Sequence, residues 1–325
     1  MIKLSKDIDL AKKWLDAEQV IAIPTETVYG LAGNIYSEKA INAIFETKKR
    51  PFYNPLIVHI HSANQLTDLV EELPEKAAQL AAAFWPGSLT LVLKKKDSVS
   101  NLITGGKDTV AIRIPNHPLT LELLAKLDFP LAAPSANPFG SISPTTAQHV
   151  ADYFPECLPM VLDGGDCTNG IESTIIGFEN DVPVLYRLGA ISKEEIEQVI
   201  GPISIKNHSK ITSSTTEAPE APGMLTKHYA PKTKLILTDD VIATSKKYEL
   251  QQVGFLLFQD IEVTNSSSTK EILSNIGSYK EAASNLYAAM HRLDQLHLDI
   301  IIAQKFPDID LGKSINDRLE RATKN

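Results

Sequence analysis

The sequence predicts a two-part α/β protein: a large mixed sheet flanked by helices, followed by a smaller α/β layer. Three observations carry this reading. The chain has 325 residues, which at about 150 residues per domain suggests two domains. Short apolar runs alternate with helical patterns along most of its length. Between them, residues 206–232 include KNHSKITSSTTEAPEAPG, rich in Ser, Thr, Pro and charge and without either period, which is linker chemistry. The expected divisions are therefore 1–205, a linker at 206–232, and 233–325.

In the first part, runs of branched residues predict buried strands at 20–23, 56–60, 89–93, 110–114, 131–133, 160–162, 174–178 and 184–188. Helical patterns fall at 37–47, 63–70, 75–84, 118–127, 145–153 and 192–200, with Ser37 and Ser192 as N-caps. No helix separates 174–178 from 184–188, so the sheet is expected to be mixed rather than uniformly parallel. The second part reads strand 234–237, helix 240–248, strand 253–258, helix 278–297, strand 300–303 and helix 314–321, an alternation that suggests a small α/β layer.

Composition narrows the function. Hydrophobic residues make up 43% and charged residues 22%, enough for a packed core and unlike a disordered tail or a disulfide miniprotein. The net charge of −8, with −7 in residues 1–206, argues against coating nucleic acid non-specifically but leaves room for a local basic pocket. Cys157 and Cys167 make no disulfide framework and lack zinc-finger spacing. The charged first residues hold no signal-peptide core, and no apolar run approaches the ~20 residues of a membrane helix. A soluble, cytoplasmic protein with no membrane role is expected.

The sequence has no P-loop, no dinucleotide fingerprint, no nucleophile elbow and no His-Glu-x-x-His. What it has are polar residues at strand ends. In IPTETVYG, Thr25 and Thr27 lie two apart and face one side of an extended chain; a β-turn with a helix cap accounts for them equally. In TKKRPFYNPLIVHI, Pro51 stops the preceding helix near Lys49. Lys48 and Arg50 then sit at a helix end, followed by Asn54 and His59. The cations suit a triphosphate or carboxylate, or simply complement the helix dipole. His59, inside an apolar strand, reads alone as a hydrogen-bonded core histidine. Arg113 lies in the apolar run of DTVAIRIPNHP near Thr109, facing a cleft or paired with a buried acid. In APSANPFGSISPTT, prolines extend Ala133 and Asn137, so Ser135 and Asn137 project together ahead of Ser143. LDGGDCTNGIESTII is a Gly-rich loop entering a strand near Ser173. Its acids Asp163, Asp166 and Glu172 are either Mg²⁺ ligands or solvated. Arg187 ends a strand in YRLGAIS, and PGMLTKHYAP closes the linker.

Taken in order, these segments, with FWPGSLTLVL and the later LGKSINDRLERA, resemble the YrdC-like family in its two-domain form, the L-threonylcarbamoyladenylate synthases. The likeness spans nearly the whole chain. It implies a YrdC-like twisted mixed sheet flanked by helices and a smaller C-terminal Rossmann-like α/β domain. It also implies a nucleotidyltransferase that joins L-threonine, bicarbonate and ATP, with Mg²⁺, into threonylcarbamoyl-AMP, pyrophosphate and water. The family's Lys-x-Arg…Ser-x-Asn signature falls on Lys48, Arg50, Ser135 and Asn137. By the same resemblance Thr27, His59, Arg113, Ala133 and Ser173 hold threonine. Arg50, Asn54, Thr109, Ser135, Ser143, Arg187 and Tyr229 hold ATP, with the linker as a lid. The downstream partner implied is a transferase complex that modifies the adenosine next to the anticodon of certain tRNAs; a weak tRNA contact stays open. Asp166 and Leu188 stand where many members have Pro, which puts local loop geometry in question. Three rivals remain: an RNA-binding module of the same fold; the carbamoyl-transfer enzyme of hydrogenase maturation, whose Cys-rich zinc modules two cysteines cannot supply; and a purely regulatory role for the second domain.

Overall fold

The computed structural model describes residues 2–206, 219–224, 228–263 and 268–324. Much of the expected linker, including 207–218 and 225–227, lies outside the described residues.

Eleven strands form the large sheet: β1 (Lys3–Ser5), β2 (Ile21–Ile23), β3 (Gly30–Asn34), β4 (Ile57–His59), β5 (Leu89–Lys94), β6 (Thr109–Arg113), β7 (Leu131–Ala132), β8 (Met160–Leu162), β9 (Thr174–Glu179), β10 (Val182–Arg187) and β11 (Ser204–Ile205). Their order is β1-β8-β2-β3-β7-β4-β6-β5-β9-β10-β11. Pairings are mixed as expected: β4–β6 and β5–β9 run parallel, whereas β5–β6 and β9–β10 run antiparallel. The central strands are buried along nearly their whole length, which is why they read as continuous apolar runs. Helices cover the sheet. Ser37 and Ser192 cap helices Glu38–Lys48 and Lys193–Ile200, the second through a capping box with Glu195. The first ends at Lys48, with Lys49 left-handed at φ 52° ahead of Pro51.

Five elements of this half fall outside the expected strands and helices: β1, β3, β11 and helices Ile8–Asp16 and Asn101–Thr104. The segment GLAGN holds two glycines, which weaken a strand pattern, yet it forms β3. A Cβ on Gly33 would sit 3.2 Å from both Ala40 Cβ and Ile44 Cδ1, so glycine lets helix Glu38–Lys48 lie close on the strand. Helix Ile8–Asp16, capped by Asp7, buries Ala11 and Leu15 beneath an otherwise charged surface.

The second half is a four-stranded parallel sheet of β12 (Leu235–Thr238), β13 (Val253–Leu257), β14 (Thr269–Ile272) and β15 (Ile300–Gln304), in the order β12-β15-β13-β14. Helices Tyr279–Gln295 and Leu311–Ala322 pack against it and face the large-sheet half. The edge strand β14 is absent from the expected alternation because TKEI carries no apolar signature. The two halves share one apolar cluster in which Val28, Ile142 and Ile171 join Tyr287, Met290 and Ile315. Polar contacts cross the same seam: Ser314 donates to the Gly189 carbonyl at 2.8 Å, and His291 donates from Nε2 to the Ser143 carbonyl at 3.2 Å. Among the described residues no helix is long and apolar enough to cross a membrane.

Candidate active site

The ends of β4, β6 and β10, the turn before β3 and the segments after β7 and before β9 open on one cavity. Its lining includes Thr25, Thr27, Arg50, His59, Arg113, Ala133, Ser135, Glu172, Ser173, Arg187, Gly223, His228 and Tyr229. Nine of the fourteen residues singled out in the sequence meet there: Thr27, Arg50, His59, Arg113, Ala133, Ser135, Ser173, Arg187 and Tyr229.

Thr25 and Thr27 do face together, with hydroxyl oxygens 2.8 Å apart. The turn reading holds as well, since Thr25 Oγ1 accepts from the Thr27 and Val28 amides. Arg113 is likewise both things the sequence left open. It lines the cavity, and its Nη2 pairs with Glu26 Oε1 at 2.6 Å with both side chains buried. It also donates to Thr27 Oγ1 at 2.9 Å and to the Gly87 carbonyl at 3.0 Å. Burial would raise the Glu26 pKa, but the Arg113 charge and the hydrogen bonds outweigh it and hold the carboxyl below its ordinary value. His59 sits at 3.3 Å from the Ile57 carbonyl through Nδ1, which leaves Nε2 as an acceptor. Burial and then the Arg113 charge push its pKa down to about 3, so the imidazole is neutral at physiological pH.

The other end of the cavity is cationic. Arg50 donates from Nε and Nη2 to the carbonyls of Asn54 and Pro55 at 3.2 and 2.7 Å. Arg187 donates to the Ser173 carbonyl, at 3.1 and 2.8 Å, and to that of Pro222. Both are buried, and among the described residues neither has a carboxylate within 4.0 Å. Burial and the Arg187 charge lower Arg50 to about 9, the sign of a guanidinium held near a like charge without an anion. Gly223 permits this approach: at φ 76°, its Cβ would fall 2.7 Å from Arg187 Nη1.

Five nominated residues do not line the cavity. Lys48 is fully buried and its ammonium turns onto the backbone carbonyls of Ser135 and, at 2.6 Å, Asn137. Burial and then Arg50 hold its pKa well below the lysine range. Lys48 thus does not face the cavity, because its amine is occupied in fixing the Ser135–Asn137 loop. The Asn137 amide donates to the carbonyls of Pro138 and Ser141, both at 2.9 Å. Ser143 donates to Glu172 Oε1 at 2.6 Å. Asn54 is completely buried beside Arg50, and neither polar atom of its amide has a partner among the described residues. Thr109 is at the far end of β6 from Arg113, paired with Lys94, and lines a separate surface depression with Glu72 and Asn180.

Sequence reasoning missed Glu26 and His228. Glu26 lies between the two threonines it had picked out, and His228 is the direct neighbour of Tyr229. Asp163 and Asp166 do not line the cavity, nor does Leu188. Glu172 is the single carboxylate on the cavity wall among the described residues, and Ser143, Tyr287 and Arg318 already engage it. No group of three or more metal-ligating side chains occurs among the described residues.

Two family models divide the chain between them. One, described as telomere recombination, matches residues 13–189; the other, described as threonylcarbamoyl-AMP synthase, C-terminal domain, matches residues 191–323. The chain belongs to the threonylcarbamoyl-AMP synthase family. Curated synthases from Pyrococcus abyssi and Bacillus subtilis are 40% and 41% identical to it, over 97% and 95% of this chain and 94% and 90% of theirs. The crystal structure of P. abyssi Sua5 complexed with L-threonine superposes with a TM-score of 0.89 at 38% identity, covering 99% of this chain and 97% of that one. Escherichia coli YciO, 22% identical over 58% of this chain with a TM-score of 0.53, shows the fold of the first half alone. In this synthase the first matched region carries every nominated residue except Tyr229, which comes with His228 from the second.

Proposed function

We propose that this synthase binds L-threonine at the Arg113 end of the cavity and ATP at the Arg50–Arg187 end. Bicarbonate joins them there to give threonylcarbamoyl-AMP. The observation that carries this reading is the convergence of Arg50 and Arg187 in one buried wall without a carboxylate on either, which suits a polyphosphate.

Arg113 takes the threonine carboxylate, with the Thr27 hydroxyl, Ser173 and the Ala133 backbone around it. The neutral His59 offers Nε2 to the substrate hydroxyl or amine. With a pKa near 3 it is too weak a base to take a proton at neutral pH, so it orients rather than abstracts. The threonine amine attacks bicarbonate, forming the carbamate and releasing water. A carbamate oxygen then attacks the α-phosphorus and pyrophosphate leaves. Arg50 and Arg187 stabilise the charge that builds on the phosphates, while Ser135 contacts them from the loop that Lys48 and Asn137 hold in place. Asn54 supplies a buried amide with free donor and acceptor capacity to the nucleotide; Tyr229 closes over it, and Ser143 supports that wall through Glu172. Thr109 is left out of the nucleotide set. No step needs a covalent enzyme intermediate.

Mg²⁺ belongs to this reading as part of MgATP. The single, engaged carboxylate on the wall builds no cage for a protein-held ion, so no step is assigned through one. The division at 1–205, 206–232 and 233–325 assigns the chemistry to the first part and a lid to the linker. The product is a labile mixed anhydride, and its consumer is the tRNA-modifying transferase complex.

Purified protein with MgATP, threonine and bicarbonate should release pyrophosphate, and omission of either threonine or bicarbonate should abolish release. Pyrophosphate release indifferent to threonine would overturn the proposal.

A further inference from the structure

The least expected feature of the cavity is the carboxylate of Glu172, which is shared between the two halves of the chain. Its Oε1 accepts from Ser143 Oγ of the first half at 2.6 Å. Its Oε2 accepts from two groups of the second: Tyr287 Oη at 2.9 Å and Arg318 Nε at 3.3 Å. Arg318 is completely buried and its Nη1 also pairs with Asp317 at 3.0 Å. The second half reaches the cavity by a parallel route. Tyr229 stacks on Tyr287, with ring centroids 5.7 Å apart and planes inclined by 27°. The guanidinium carbons of Arg318 and Arg321 lie 5.4 and 4.8 Å from the Tyr229 ring centroid. At those distances a cation attracts the ring face, most strongly where water is excluded.

Tyr229 is thereby held from behind while its other end faces the ligand. Its backbone is left-handed at φ 65°, and the next amide, of Ala230, bonds to the Gly140 carbonyl at 2.8 Å. Its hydroxyl is buried, has no partner among the described residues, and belongs to a side chain on the cavity wall. A buried hydroxyl left this way is open to a water or a ligand atom. Arg318 and Tyr287 do not line the cavity themselves; both touch the two groups, Glu172 and Tyr229, that do.

We infer that Arg318 and Tyr287 are positioning residues for ATP, so that the C-terminal half completes the nucleotide end of the site rather than serving only as a packing partner. Arg318 fixes Glu172 as an acceptor and draws the Tyr229 ring back; Tyr287 does the same through its hydroxyl and its ring. The threonine end, built from Arg113, Thr27 and His59, receives nothing from them. The proposal rests on the assignment of ATP to the Arg50–Arg187 end.

The test compares full-length wild type with Tyr287→Phe, Arg318→Met, Arg318→Lys and the double variant Glu172→Gln/Arg318→Met. Arg318→Met strands a buried carboxylate and is the variant most exposed to misfolding. The double variant removes both charges, and Tyr287→Phe removes one hydroxyl. Three quantities are read: KM for ATP and kcat from threonine-dependent pyrophosphate release, the Kd of a non-hydrolysable ATP analogue by calorimetry, and the Kd of threonine alone. Expected are a rise of at least tenfold in the ATP KM and analogue Kd for Arg318→Met and the double variant, a severalfold rise for Tyr287→Phe, and partial recovery in Arg318→Lys. Threonine Kd should stay within twofold throughout. Equal weakening of both ligands, or unchanged ATP parameters in Tyr287→Phe and the double variant, would overturn the inference. A wild type that releases no threonine-dependent pyrophosphate would instead sink the functional reading, and the analogue titration would still decide the roles of Arg318 and Tyr287.

Discussion

Replacing Glu26 by Gln separates the two jobs that the structure gives Arg113. The pair is buried, with both side chains under 10% exposed, and Nη2 lies 2.6 Å from Oε1. Removing one partner of such a pair strands the other charge, at a cost of about 3–5 kcal/mol. Glutamine keeps the shape, and with its single oxygen in place of Oε2 it still accepts from the Asn116 amide, held at 3.0 Å, while its Nε2, in place of Oε1, donates to Ser88 Oγ. Arg113 also keeps its bonds to Thr27 and Gly87. The loss should therefore fall near the lower end, about 3 kcal/mol. Urea unfolding followed by tryptophan fluorescence measures it directly, because both tryptophans, Trp14 and Trp85, lie in the large-sheet half. Threonine should reverse part of the loss. With Glu26 neutral, no fixed anion competes with the substrate carboxylate for Arg113, so the variant should bind threonine severalfold more tightly by calorimetry. Arg113→Gln should lose stability and threonine binding together. A Glu26→Gln protein within 0.5 kcal/mol of wild type, on the roughly ±0.5 scale of ordinary surface substitutions, would refute the mutually dependent pair. A stable variant blind to threonine would refute Arg113 as the carboxylate's seat.

Other consequences follow from the same geometry. Lys48→Met should leave the fold intact yet lower kcat by about 10²-fold, the effect of a small displacement of the Ser135–Asn137 loop; wild-type turnover would show that the loop needs no such anchor. Arg50→Ala and Arg187→Ala should each raise the ATP KM at least tenfold while threonine Kd changes little, and a threonine-specific defect would reverse the assignment of the two ends. The carboxyls of Glu26 and Glu172 are both held below their ordinary value of 4.5 in the folded protein. In acid the unfolded chain takes up these protons first. Their stabilisation is therefore complete above about pH 4.5 and is lost as pH falls through the folded values. A pH series of melting curves should show that loss in wild type and a shallower one in Glu26→Gln; parallel curves would exclude Glu26 as a contributor.

The buried strands and capped helices are legible because their signals are local. Met160–Leu162 and Glu75–Phe84 match to the residue. Gly30–Asn34 does not, because Gly33 answers to a helix packed on it and Gly30 to the close approach of Ala133. Helix Ile8–Asp16 carried a readable signal: Asp7 as cap, with Ile8, Ala11 and Leu15 at helical spacing. In the site, residue types are legible and directions are not. Lys48 and Arg50 are two apart on paper. The left-handed Lys49 between them sends one cation behind the Ser135 loop and the other into the cavity. A buried acid beside Arg113 is one of two readings the sequence leaves open, and which acid it would be depends on a register that only the folded sheet defines. The interdomain carboxylate at Glu172 depends on residues more than 100 positions away, and no local pattern reports it.

The charge of the chain then has a physical reading. The whole chain nets −8, yet Arg50, Arg113 and Arg187 are each less than 10% exposed and line one cavity, so the rest of the chain is more acidic than that net. Burying a guanidinium opposes folding unless something compensates it. Arg113 is compensated by Glu26, and Glu172 is shared out to Arg318. Arg50 has carbonyl dipoles, and Arg187 has the Ser173 and Pro222 carbonyls, the Ser173 hydroxyl and the more distant attraction of Glu172, with no carboxylate in contact among the described residues. The substrate-free site therefore keeps a positive excess at one end and near neutrality at the other. A polyanion gains most at the uncompensated end, whereas at the other end Glu26 already engages Arg113 and a single carboxylate meets a charge that is largely balanced. On the proposed assignment this asymmetry orders the ligands without any motif for either, with the reacting carbamate between them, where the two environments meet.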